Sequence, residues 1–196
     1  MQYIIDKILN QTIYGTSDSD GHLLTLLGIA LSLKTQNILE LGVRYGDTTL
    51  PLLLAAYFNL GTLTSVDIND TEFVPPAELK DSWKFVKMDS IKFLESMFDK
   101  DEQFDLVFVD DWHAFGHVYM ELCFLHDLVK PSSVILLHDL MYGGRQPEYY
   151  SDPQAEGEFA NGGPFRAVQE FTEQYPGWEW ATIPAFHGLT ILRKKA

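Results

Sequence analysis

A chain of 196 residues has room for one domain with a full hydrophobic core and is cramped for two. Its usage, 46% hydrophobic against 21% charged, is too apolar for a disordered chain. A formal charge of −14 opposes binding to a phosphate backbone, and the single Cys123 rules out an intramolecular disulfide or a cysteine-rich zinc site.

The N-terminal stretch MQYIIDKILNQTIYG has no basic head followed by a long apolar run, so no signal peptide is expected. The apolar segment Leu23 to Leu33 is broken by Thr25, Gly28 and Ser32 and is too short for a bilayer, which takes about 20 residues. The expectation is a cytoplasmic chain with neither a membrane nor a nucleic-acid partner. Helices are predicted near 2–10 and 20–34, making residues 1–35 an N-terminal helical extension that serves as a substrate cap or a homodimer contact.

From residue 36 onward short β-branched and aromatic runs alternate with stretches of helical period. Strands are predicted at 37–43, 61–68, 83–89, 104–110 and 132–139, with helices near 48–58, 90–98 and 114–128 and a weaker one near 75–81. That alternation argues for βαβ units and a mostly parallel, doubly wound α/β sheet with helices on both faces. After a helix at 162–175 come strands at 178–185 and 188–194, joined by little more than Phe186 and His187. A parallel crossover needs a dozen or more residues, so this pair is predicted to be an antiparallel hairpin closing a seven-stranded, Rossmann-like sheet. The irregular segment 141–163, rich in Gly, Pro, Tyr and acids, is read as a substrate lid, in which Tyr142, Arg145, Tyr149 and Tyr150 are candidates to grip an acceptor.

Open α/β sheets bind ligands outside the carboxyl ends of their strands, so the residues where each strand stops carry the information. The first strand runs into ILELGVRYGDTT, with Glu40, Gly42 and Gly46. The second ends in Asp67-Ile68, the third in Asp89-Ser90, the fourth in Asp110-Asp111-Trp112-His113 and the fifth in His138-Asp139. Asp and Ser are favoured helix caps, but five successive ends bearing an acid or an acid–His pair exceed what capping requires. Gly42 and Gly46 permit a tight turn and close approach of backbone to a ligand. An acid closing the second strand suits two ribose hydroxyls. Val43, Arg44 and Tyr45 between the glycines break the G-x-G-x-x-G pattern, which disfavours a nicotinamide dehydrogenase.

These residues resemble class I S-adenosylmethionine-dependent methyltransferases. LELGVRYGDTT is similar to that family's first motif, acid-x-Gly-x-x-x-Gly, with Asp67 at the ribose-binding acid and Asp89 at the position that meets the adenine amino group. The resemblance covers about residues 36–195 and implies cofactor contacts from Glu40, Gly42, Val43, Arg44, Gly46, Thr48, Asp67, Ile68, Asp89, Ser90 and Asp110. A narrower similarity, carried by Val109-Asp110-Asp111-Trp112-His113 and by His138-Asp139, is to small-molecule O-methyltransferases of the macrocin and cephalosporin-tailoring type. It implies Asp110, His138 and Asp139 as candidate ligands for Mg²⁺ or another divalent cation such as Mn²⁺. Trp112 and His138 depart from that pattern, where acids stand.

The implied reaction is methyl transfer to a small hydroxylated metabolite, with His113 first choice as general base, His138 second, and Asp110 beside them. Methylation of nitrogen or carbon on a small molecule, or a non-catalytic cofactor-binding protein on the same fold, stay open as alternatives. His22 is expected near the site only if the N-terminal helices fold over it, whereas His117, His126 and His187 are expected to be structural or solvated. Within the opening motif Thr48 is the expected cap of the next helix, because Pro51 is harmless only in a first turn.

Overall fold

The computed structural model describes residues 1–100, 102–141 and 162–195. Seven strands, β1 (Asn37–Leu41), β2 (Thr62–Asp67), β3 (Trp83–Lys87), β4 (Phe104–Val109), β5 (Val129–His138), β6 (Trp178–Ile183) and β7 (Leu189–Lys194), form one sheet in the order β3-β2-β1-β4-β5-β7-β6. The pairs β1·β2, β2·β3, β1·β4 and β4·β5 are parallel, and β7 runs antiparallel to both β5 and β6. The chain leaves β1 toward one edge and returns at β4 toward the other. A topological switch point therefore lies between β1 and β4, and a crevice opens beyond their carboxyl ends.

Alternate strand residues serve two cores, as the pleat requires. Ile38, Leu106, Phe108 and Leu136 face the layer of α1 (Gln2–Tyr14), α2 (Leu23–Ser32) and α3 (Thr49–Phe58), packing with Ile4, Ile8, Leu26 and Leu52. Leu39, Leu41, Val107, Val109 and Ile135 face α4 (Ser90–Glu95), α5 (Phe115–Leu128) and α6 (Gly163–Gln174), packing with Phe93, Leu122, Ala167 and Phe171. Because the central strands are covered on both faces, they read as nearly continuous apolar runs. Among the described residues no helix is long and apolar enough to cross a membrane.

Besides bounds such as the end of α1 at Tyr14 and of α4 at Glu95, against 10 and 98, two elements differ from expectation. The weak helix at 75–81 is absent; turns lead to one 3₁₀ turn at Lys80–Ser82. Pro75 and Pro76 donate no backbone hydrogen bond, and Leu79 is the one buried side chain from 75 to 82, so no apolar stripe holds a helix down. Strand β5 starts at Val129, before the predicted 132. It follows α5 without a loop, and the register shifts where Phe104 faces Val129 but Leu106 faces Val134. The lid reading of 141–163, with Tyr142, Arg145, Tyr149 and Tyr150, lies outside the described residues except at Met141, Gly162 and Gly163.

Candidate functional site

A cavity of about 1000 Å³ occupies the crevice at the switch point. Its wall includes Gly42, Val43, Arg44, Thr48, Asp67, Ile68, Asp89, Ser90, Asp110, Asp111, Trp112, His113 and Asp139, with Thr16 to Ser19 from the segment after α1. The ends of five strands and an N-terminal segment thus meet in one space.

The turn after β1 is held from below. Glu40 is fully buried and accepts hydrogen bonds from Thr48 Oγ1 (2.8 Å), Thr49 Oγ1 (2.8 Å) and Ser65 Oγ (2.6 Å). It is not on the cavity wall, so its place is under the turn rather than against a ligand. Burial pushes its carboxyl up to about 7, although the three hydroxyls favour the ionised form. Thr48 stands at the start of α3 as expected, but its hydroxyl serves Glu40 and makes no cap bond.

Gly42 and Gly46 have φ of 89° and 82°, and packing requires them as much as ligand access does. A Cβ on Gly42 would stand 2.2 Å from the Asp110 carbonyl oxygen, and one on Gly46 would stand 2.3 Å from the Phe73 ring. Gly42 lines the cavity and Gly46 lies behind it. Asp67 Oδ2 accepts from the backbone N–H of Val43 (2.9 Å) and Arg44 (3.1 Å), and Oδ1 from that of Asn69 (2.8 Å). The acid therefore braces the turn while presenting a carboxylate edge to the cavity. Asp89 both lines the cavity and caps α4, accepting from Lys92 N–H at 3.0 Å.

At the other end Asp110, His113 and Asp139 converge, with one ligand-type atom from each lying within 4.8 Å of the others. His113 Nε2 is 3.3 Å from Asp110 Oδ1 and 3.1 Å from Asp139 Oδ2. His138 lies behind them, fully buried and off the cavity wall, with Nε2 donating to the Phe186 carbonyl at 3.0 Å. Its Nδ1 has no hydrogen-bond partner, yet Asp110 Oδ1 and Asp139 Oδ1 stand 3.3 and 3.4 Å away. Burial alone would raise the Asp110 carboxyl; His138 and His113 outweigh it and hold Asp110 well below the usual range. Burial alone would lower His138, but Asp110 and then Asp139 push it up to about 11. Asp139 has φ of 64°, a conformation that costs a non-glycine residue energy and that the surrounding contacts sustain. One imidazole nitrogen and two carboxylates, from His113, Asp110 and Asp139, form a donor set that fits a divalent cation, with His138 ion-paired to the same two acids behind it.

The N-terminal helices do fold over this end. His22 is buried, donates from Nε2–H to the Ala185 carbonyl (2.8 Å), and meets His138 edge to face at 5.6 Å. His187 Nδ1 approaches Asp139 Oδ1 at 3.2 Å, nearer to the site than a purely structural role requires. His126 is core packing, stacked on Tyr175 at 4.2 Å and accepting at Nδ1 from Trp178 Nε1–H.

Sequence reading misses a second buried cluster, formed by Ser90, Asp111, His117 and Glu121. Its signal is a titratable pair, His117 and Glu121, four residues apart on a helix face that otherwise carries Val118, Leu122 and Leu125. Burial, then the Asp111 carboxylate, push Glu121 up to about 8. Against burial, Asp111 and Glu121 push His117 up to about 10.

No curated protein matches the chain. Solved structures share its fold. TomG, an O-methyltransferase from Streptomyces achromogenes involved in tomaymycin synthesis and solved with SAM, is 16% identical, with 98% of this chain and 90% of that one covered at a TM-score of 0.69. An O-methyltransferase from Bacillus cereus solved with SAH is 14% identical, covering 99% and 90% at 0.68. MycE, a methyltransferase of mycinamycin biosynthesis solved with Mg and SAH, is 18% identical, covering 82% of this chain and 46% of that one at 0.56. Residues 39–140 match the model of a family described as a methyltransferase domain, a span that runs from within β1 through Asp139 and takes in just over half of the chain. With the cavity at the switch point of a sheet of this order, that match shows that the chain belongs to the methyltransferase domain family.

Proposed function

We propose that the chain transfers the methyl group of S-adenosylmethionine to a hydroxyl of a small metabolite. The observation that carries this reading is one cavity with two chemically distinct ends. The β1 turn, Asp67 and Asp89 make an end suited to a nucleoside and an amino acid. Asp110, His113 and Asp139 make an end suited to proton transfer. When bound, the cofactor supplies an electrophilic methyl on a sulfonium, and a divalent cation would supply positive charge to the acceptor oxygen.

The chain's residues bind, orient and take the proton. The acid edges of Asp67 and Asp89 offer acceptors to ribose hydroxyls and to the adenine amino group. His113 would take the hydroxyl proton as the acceptor oxygen is methylated. Asp110 and Asp139 balance the imidazolium that results. His138 keeps the two carboxylates from repelling each other at the base of the site. A cation held by Asp110, His138 and Asp139 would leave His113 as the base, whereas one held by Asp110, His113 and Asp139 would make His113 a ligand in place of that role. Thr16 to Ser19 on the wall support a capping role for residues 1–35. A homodimer contact is proposed for the outer face of α1, where Tyr3, Leu9, Ile13 and Tyr14 are exposed.

Ligand-dependent melting tests the cofactor. S-adenosylhomocysteine at about 100 times its Kd stabilises the folded chain by roughly 2.7 kcal/mol, and NAD shifts nothing. A melting curve indifferent to the thioether would defeat the proposal. His113→Ala is expected to lower kcat by about 10²- to 10⁴-fold with S-adenosylhomocysteine affinity unchanged, as for loss of a general base. Undiminished kcat would remove His113 from the reaction while leaving the cofactor assignment intact.

A further inference from the structure

We propose that Asp111, His117 and Glu121, with the Ser90 hydroxyl beside them, form a second divalent-metal site under the floor of the cavity, fitted to Zn²⁺. The site shares no residue with the Asp110 end and does not depend on the methyl-transfer reading.

The geometry around one atom carries the inference. His117 Nε2 has three oxygens near it: Ser90 Oγ at 3.0 Å, Asp111 Oδ2 at 3.2 Å and Glu121 Oε1 at 3.3 Å. One nitrogen can offer one hydrogen, which satisfies one of the three. The metal-binding atoms of Asp111, His117 and Glu121 all lie within 4.8 Å of one another. Ligands held about 2.0–2.2 Å from a zinc ion in tetrahedral or octahedral arrangement stand ~3.0–3.4 Å from one another, the spacing observed from Nε2. Independently, Glu121 is fully buried on α5 and neither of its carboxylate oxygens has a hydrogen-bond partner; Asp111 Oδ1 is likewise without one. Buried carboxyl oxygens without a hydrogen bond are costly, and a cation at the point all of these atoms face would add to the single ion pair that each acid makes with His117.

One nitrogen and two carboxylates suit a borderline ion better than Mg²⁺, and the affinity order for such sites puts Zn²⁺ above Mn²⁺ and Fe²⁺. Asp111 and Ser90 also line the cavity, which provides an entry path. Trp112 packs on the His117 ring at 5.3 Å. An ion here would tie the start of α4, the loop after β4 and the face of α5 into one piece beside the end of the cavity bearing Asp89.

The test uses the full chain, stripped with chelator and dialysed against Zn²⁺ alone, with bound zinc measured by elemental analysis and stability by thermal melting. Wild type is expected to hold about one equivalent per chain that Glu121→Met and His117→Phe lose, and to show a rise in Tm on adding Zn²⁺ that Glu121→Met lacks. Asp139→Asn, which alters the other end of the cavity, should keep the Glu121-dependent equivalent. Circular dichroism of the metal-free variants checks folding, with Glu121→Gln as the size-matched replacement if Glu121→Met unfolds. Equal zinc in wild type and in a folded Glu121 variant overturns the site, as does a wild type that takes up none.

Discussion

Glu40 shows how a motif residue can matter without touching a ligand. Its carboxyl gathers Thr48, Thr49 and Ser65, and Ser65 Oγ in turn accepts from Trp83 Nε1–H, so the turn after β1 is tied to α3, β2 and β3. Burial raises its pKa from 4.5 to about 7, which corresponds to roughly 3 kcal/mol. The folded chain binds this proton more tightly than the unfolded chain. The contribution is therefore fully present below about pH 4.5 and is lost as pH rises through about 7. Urea unfolding at pH 4.5 and pH 8 should show wild type losing roughly 3 kcal/mol more than Glu40→Gln over that interval. An equal loss in both would mean that Glu40 is ionised throughout. Asp67, Asp89 and Asp110 are legible in the sequence because strand ends are few and acids at them conspicuous. Glu121 is not, since an acid in mid-helix is ordinarily solvated, and only its position against Asp111 and His117 makes it a buried group.

Among the elements, the β6–β7 hairpin does more than close the sheet. Its turn runs through three left-handed residues, Phe186, His187 and Gly188, with φ of 48°, 64° and 92°. It presents the Ala185 carbonyl to His22, the Phe186 carbonyl to His138, the His187 imidazole to Asp139 and the His187 carbonyl to Met141 N–H. The turn thereby joins the start of α2 to the end of β5 at the Asp110 end of the site. A Cβ on Gly188 would stand 2.8 Å from Met141 Cγ and require a left-handed alanine. Gly188→Ala should cost roughly 1–2 kcal/mol and lower Tm by about 2–8 °C in a chain of this size. It should also weaken turnover by disturbing His138 and Asp139, and an unchanged Tm together with unchanged kcat would show that the turn adapts freely. The antiparallel hairpin itself is readable from a connection of a few residues. What its turn touches is not, because those partners lie about 48 positions and more away in the chain.

On the scale of the whole molecule, the charge of −14 is a self-repulsion that the fold must withstand, and several of the acids crowd into one cavity. Raising ionic strength from about 0.01 to 0.15 M, which shortens the screening length from ~30 to ~8 Å, should raise Tm. A fall in Tm would mean that the surface pairs Lys87–Asp70 and Arg193–Glu179 outweigh net repulsion, against the small worth of exposed ion pairs. The alternation of β-branched runs with helical periods determined by itself that the sheet is mostly parallel and doubly wound, and the strand ends determined which acids border the crevice. Those readings rest on local periodicity and on topological rules that hold for any chain with this pattern. The tertiary structure alone decided that Glu40 lies under the turn, that His113 rather than His138 faces the cavity, that His22 and Thr16 to Ser19 come over it, and that Asp111, His117 and Glu121 meet. Each of these depends on which side chains distant segments bring within a few ångströms of one another, a property of packing that carries no signature in residue spacing.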